Sequence, residues 1–234
     1  MKNLYLILSF FLITPYFYGQ TIDFKDFDDV FKKELVADNT ALKERISNFP
    51  QIAKEINSKI STEVRNLNYN QALYLANQLD SIMPNNADVK NFKAKMHLKL
   101  VNYDAALVLF IEAIKLAPEN KWFYVSTAGL LSEMNRPEES LLFIKDLIKL
   151  DDKWSFAYFL KATVLTNYNK KDLALLAFKK AIAYEPKSAM VYVGIGDFYL
   201  KYGKPKQASH SYELALQIQR DYFPANERLK TFNN

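Results

Sequence analysis

The sequence predicts an all-α fold built as a solenoid of antiparallel helix pairs with helical caps. Two observations carry that prediction: a ladder of helix-ending residues spaced every 34 residues, and columns of small residues in register with it. The ladder is Pro50, Pro84, Pro118, Asp152 and Pro186, and the last three prolines close the matching phrases SIMP, KLAP and AYEP. With units starting at Ala53, Ala87, Lys121, Ser155 and Ala189, the eighth column reads Ala94, Ala128, Ala162 and Gly196. The twentieth reads Ala72, Ala106, Ser140, Ala174 and Ala208, and the twenty-seventh gives Ala113, Ala181 and Ala215. Large residues stand between them, with Phe110, Ile144, Phe178 and Tyr212 at column twenty-four and Tyr124, Tyr158 and Tyr192 at column four.

Each column has a physical reason in a helix-turn-helix unit. Small side chains let two helices approach to the ~8–10 Å of a packed pair, and the large residue one turn away fills the space between units. From Tyr103 to Leu116 the apolar residues Ala106, Leu107, Phe110, Ala113 and Ile114 follow the stripe of an amphipathic helix. Pro137 and Pro205 share one column, the first turn of the second helix, where a missing N–H costs nothing. The prolines that close the units end that helix instead. Half of the chain is apolar and only five glycines occur, so a sizeable core is available and long linkers are not.

Residues 1–20 read as a secretory signal peptide: one basic charge at Lys2, an apolar run from Leu4 to Ile13, and a Tyr18-Gly19-Gln20 end. As a helix the run is ~15 Å long, half of what a membrane span needs. Residues 21–52 are expected to form a leader or an N-terminal cap of two short helices, around Phe24 to Val36 and Thr40 to Phe49. Phe24, Phe27, Phe31, Ile46 and Phe49 would cover the exposed end of the solenoid. Residues 53–86 form a divergent repeat that keeps Tyr69, Ala72 and Pro84. Regular repeats follow at 87–120, 121–154, 155–188 and 189–222, and residues 223–234 form a short capping helix or tail with Ala225, Leu229 and Phe232 on one face.

These columns resemble the tetratricopeptide repeat family, whose pattern is met from Ala87 to Tyr222. The repeat 121–154 departs from it with Leu147 for a small residue and Asp152 for proline. The resemblance implies a right-handed superhelix in which the first helix of each unit lines a concave groove that binds a peptide segment or helix of a partner protein. Carried over residue by residue, it gives Asn91, Lys95 and Lys99, then Trp122 and Val125, then Phe156, Phe159 and Asn167, then Met190, Val193, Asp197 and Lys201 as the partner-binding groove. The early part is basic and the middle apolar. Two roles are open to the aromatic residues: anchors for a ligand, or seals between neighbouring repeats. A chaperone-tail clamp is disfavoured, because the Lys-then-Asn spacing it needs occurs only at Lys230 and Asn234, outside the repeats.

Catalytic groupings are absent from the sequence. His97 and His210 fall in different repeats with no ligand-spaced neighbour, and there is no cysteine, so no metal site, disulfide or cofactor is expected. By the resemblance His97 fills core space where the family buries a tyrosine, while His210 lies on a solvated surface. Asp151-Asp152 reads as a helix-start cap, and Gly194-Ile195-Gly196 lies inside a helix, without the strand a phosphate loop requires. The net charge of +5 is too diffuse for nucleic acid. The expected protein is an exported, periplasmic or secreted bacterial adaptor within an envelope complex, not an enzyme and without a membrane span after signal cleavage. The alternatives are a self-associating structural component and a non-catalytic regulatory subunit of an enzyme.

Overall fold

A computed structural model describes residues 16–17, 20–21 and 24–232. The apolar run on which the signal-peptide reading rests lies outside the described residues. Among those described, no helix is long and apolar enough to cross a membrane. Tyr16–Phe17 pairs antiparallel with Gln20–Thr21, a 3-10 turn covers Phe24–Asp26, and the remaining elements are α-helices.

The helices are α1 (Asp29–Ser47), α2 (Gln51–Arg65), α3 (Tyr69–Ile82), α4 (Ala87–Lys99), α5 (Tyr103–Leu116), α6 (Lys121–Glu133), α7 (Pro137–Leu150), α8 (Ser155–Asn167), α9 (Lys171–Tyr184), α10 (Ala189–Lys201), α11 (Pro205–Ile218) and α12 (Phe223–Lys230). Local chemistry sets their ends. The side chains of Asn86, Asn120 and Ser188 accept hydrogen bonds from the amides of Val89, Trp122 and Val191, capping α4, α6 and α10. Pro137 and Pro205 open α7 and α11. First helices end on a left-handed residue, at Leu67, Val101, Asn135, Asn169 and Gly203, with φ of 58, 62, 58, 59 and 67°. The next amide then reaches back to close the helix, as from Asn102 to the His97 carbonyl and from Lys204 to the Tyr199 carbonyl, both at 2.9 Å.

The described residues divide into two compact units, one of the short strand pair with Leu35–Asn135 and the other of residues 24–34 with residues 136–232. Helix α1 contributes residues to both. The first unit is cored by Leu42, Phe49, Ile56, Ile60, Leu75, Leu79, Phe92 and Met96. In the second, a run of ring contacts passes from Phe156 to Phe159, Phe178 and Phe198. Ala162 and Ala174 are fully buried. At Gly196 an added Cβ would lie 2.2 Å from the Tyr212 ring, which is the close helix approach that the eighth column predicts.

Two expectations change. The N-terminal segment forms one 19-residue helix rather than two short ones. The stretch Val36 to Thr40 contains neither proline nor glycine, and Thr40 turns its hydroxyl back to the Val36 carbonyl at 2.8 Å. Asp151-Asp152 does not cap the following helix, because α8 starts at Ser155 with Trp154 in the cap position. At the other end residues 223–230 are helical, with Ala225 fully buried and Phe232 set 6.0 Å from the Tyr212 ring, so the capping-helix alternative is the observed one.

Candidate functional site

In the first unit the predicted groove residues lie on α4 and α6, and the C-terminal half of α1 covers them. Asp38, Leu42 and Arg45 of α1 meet Asp88, Asn91, Lys95 and Trp122 around a cavity of about 20 Å³, room for one water molecule at most. Arg45 grips Asp88 with two hydrogen bonds, from Nε at 2.8 Å and from a terminal nitrogen at 3.0 Å, and the bond to Asp88 raises the guanidinium pKa further. Lys95 is buried. Burial drives its ammonium down to about 7, against the opposing pull of Asp38 and Asp88. Burial likewise raises the Asp38 carboxyl despite Lys95 and Arg45 nearby, and it lowers Lys99. The early groove is therefore not an open basic rim. Lys95 and Trp122 are covered and Val125 is fully buried, leaving Asn91 and Lys99 half-buried.

In the second unit the groove residues lie on α8 and α10, and residues 24–34 are seated on them. Phe156 is fully buried: its ring meets Phe31 edge-on at 4.9 Å, stacks with Phe27 at 6.2 Å and touches Trp154 at 5.4 Å. Phe159, Met190 and Val193 are buried beside it. Phe159 also packs against Phe178 of its own repeat, and an added Cβ at Gly194 of the next repeat would lie 2.7 Å from its ring, so it joins the seal between repeats. The three remaining positions serve the frame. Lys201 donates from Nζ to the Thr166 carbonyl at 2.7 Å and the Asn167 carbonyl at 2.9 Å, at the open end of α8. Asp197 accepts from the Tyr212 hydroxyl at 2.8 Å and pairs with Arg228 of α12.

Asp28 holds the seated segment most specifically. It is 1% exposed, and each carboxyl oxygen is satisfied. Oδ1 accepts from the Phe31 amide at 3.0 Å, capping α1 itself. Oδ2 accepts from the Ser188 hydroxyl at 2.5 Å and the Met190 amide at 3.0 Å, at the start of α10. Ser188 accepts in turn from the Val191 amide. One carboxyl thus caps two helices, the arrangement that makes a buried acid tolerable. Around it the Trp154 indole donates to Glu34, the Tyr222 hydroxyl donates to the Asp26 carbonyl at 2.5 Å, and the Asp29 amide donates to Gln219 at 3.0 Å. Burial, with Asp28 and Asp26 close by, raises the Tyr222 phenol well above its ordinary value.

Sequence reasoning missed Asp28, Glu34, Trp154, Ser188 and Tyr222 as partners of one another. An aspartate three residues before an aromatic at a helix start is a legible cap signal. Its second oxygen, engaged 160 residues away, is not. Among the described residues no group of three His, Cys, Asp or Glu side chains is placed to hold a metal ion. His210 is exposed, and burial lowers the pKa of the half-buried His97.

Residues 190–222 match the family model of the tetratricopeptide repeat. No curated protein matches the chain in sequence. Among solved structures, a thermophilic TPR protein of Thermus thermophilus superposes with a TM-score of 0.61 at 17% identity, covering 76% of this chain and 97% of its own. PilW, a widely conserved type IV pilus biogenesis factor, gives 0.60 at 17% identity over 73% of this chain and 79% of its own. YrrB, a TPR protein with an unusual peptide-binding site, gives 0.52 at 19% identity over 73% and 88%. The chain thus carries a tetratricopeptide repeat at residues 190–222 and has the all-α helical-repeat fold of tetratricopeptide proteins.

Proposed function

We propose that the chain is an exported, non-catalytic scaffold whose first-helix stripes hold a peptide segment or helix of a partner protein. The observation behind this reading is that the stripe of each unit already holds a helical segment through specific contacts: Arg45 on Asp88 in the first unit, Asp28 on Ser188 and Met190 in the second. A surface of this kind suits ligand binding by the helix-in-groove mode, with apolar anchors and a few placed polar groups. YrrB, with its peptide-binding site, and PilW, with its part in pilus biogenesis, support protein binding and an envelope setting respectively. Export rests on the sequence of residues 1–20.

Site-specific photo-crosslinking in native cells tests the proposal. Probes replace Lys99 and Asn167, half-buried on the first helices, and Leu142 and Leu176, exposed on the second helices α7 and α9. The expected result is one crosslinked protein from the first-helix probes. Crosslinks from Leu142 and Leu176 alone would move the binding surface to the other face and overturn the reading.

A further inference from the structure

Resting on the reading of the first-helix stripes as a binding surface, we propose that the stripe of α8 and α10 recognises a partner helix of one chemistry. That helix opens with an aromatic residue followed by aspartate, places a second aromatic three residues after the aspartate and a glutamate three further on. Residues 24–34 of the chain are then an intramolecular stand-in for it, displaced when the partner binds.

The seated segment shows which features the surface reads. Phe31 and Glu34 stand three residues apart on one face of α1, and Phe27 lies just before the helix, next to its capping Asp28. Both rings are fully buried against the ring of Phe156, edge-on and stacked. Asp28 fits the start of α10, where an amide and the Ser188 hydroxyl point at it, and Glu34 takes the indole N–H of Trp154. Lys25, Asp29 and Lys33 on the rest of the segment are exposed, with Lys25 set over the Phe223 ring at 4.5 Å and the Asp29 amide bonded to Gln219.

The same contacts set what a competing helix must supply. Two rings supply the apolar contact, while selectivity comes from acids matched to particular donors, and a ligand lacking the aspartate would leave the Met190 amide and Ser188 hydroxyl buried without a partner. As part of the same chain, the segment competes intramolecularly with any incoming helix. The site therefore stays closed to weak or mismatched helices and opens to one that satisfies the same donors better.

The test uses a fluorescent peptide of residues 24–36, titrated by anisotropy into the full chain and into full-length Phe27→Ala/Phe31→Ala, which weakens the stand-in and leaves α8 and α10 untouched. The double variant should bind the peptide at least about tenfold more tightly than the unaltered chain, as removal of an intramolecular competitor requires. A peptide with Asp28→Asn should bind about tenfold more weakly than the parent peptide, the loss expected for a charged hydrogen bond. Should the double variant fail to fold by circular dichroism, full-length Asp28→Asn, which keeps both rings, takes its place with the same comparison. Equal binding to variant and unaltered chain, or no binding to a folded variant, overturns the proposal. Light scattering that shows dimers exchanging this segment would make a second copy the occupant, and overturn it too. If the peptide fails while the Lys99 and Asn167 crosslinks persist, the proposed function stands and this inference alone falls.

Discussion

Single residues decide more of this fold than their types imply. Replacing a helical glycine by alanine ordinarily stabilises a helix by up to ~1 kcal/mol. At position 196 the new methyl would overlap the Tyr212 ring at three atoms within 2.8 Å, and that ring is tethered through its hydroxyl to Asp197. Overpacking wins, so Gly196→Ala should cost about 1–3 kcal/mol, read from chemical denaturation; an unchanged or higher midpoint would show that the ring yields. Lys95 carries a different signature. Its folded value near 7 lies below its ordinary 10.5, so between those limits the unfolded chain holds the extra proton and stability rises with pH. Below about 7 both states are protonated and the burial cost is felt in full. Asp38 works on the acid side: its raised value contributes stability below 3.8 that is lost as pH climbs through the folded value. Lys95→Met should therefore flatten the rise in thermal midpoint between pH 7 and 10 relative to the unaltered chain. A parallel pair of curves would place the lysine in contact with water.

At the scale of the element, the turn between paired helices repeats one backbone solution with different residues. Asn135, Asn169 and Gly203 suit a left-handed φ, whereas Leu67 and Val101 adopt it at 58 and 62° with a branched side chain pointed into solvent. For a β-branched residue that conformation is strained. Val101→Asn should accordingly stabilise the chain by about 0.5–1 kcal/mol, measured by urea denaturation with an unchanged m-value; a loss would reveal a contact for Val101 that outweighs its strain. The elements themselves were largely legible, because the proline and small-residue signals act through neighbours a few residues away, as where Pro137 and Pro205 open helices. The turn residue at Val101 was not, since its propensity argues against the conformation that closure of α4 imposes. The joining of two expected N-terminal helices into α1 likewise reflects the absence of any breaker between Val36 and Thr40.

For the molecule as a whole, the face of each groove residue was readable and its covering was not. The family resemblance assigns Lys95, Trp122, Phe156 and Met190 to one stripe of the first helices, but it carries no information about which distant segment lies on that stripe. Asp28 and Arg45 supply the cover through contacts 160 and 43 residues away in sequence. Export belongs to this scale as well. N-terminal sequencing of protein from native cells should give a start at Gln20 or Thr21, whereas an intact Met1 on cytoplasmic protein would refute it.

The long separation of these contacts bears on how the chain reaches its native state. Helix pairs such as α8 with α9 close over short loops and can form as they leave the ribosome. Residues 24–34 are made well before their partners Ser188, Gln219 and Tyr222. Closing so large a loop carries an entropic cost, and the second unit cannot be completed until Tyr222 has been made. During that interval Phe27 and Phe31 have no place to bury. A chain in this condition is open to whatever holds unfolded polypeptides.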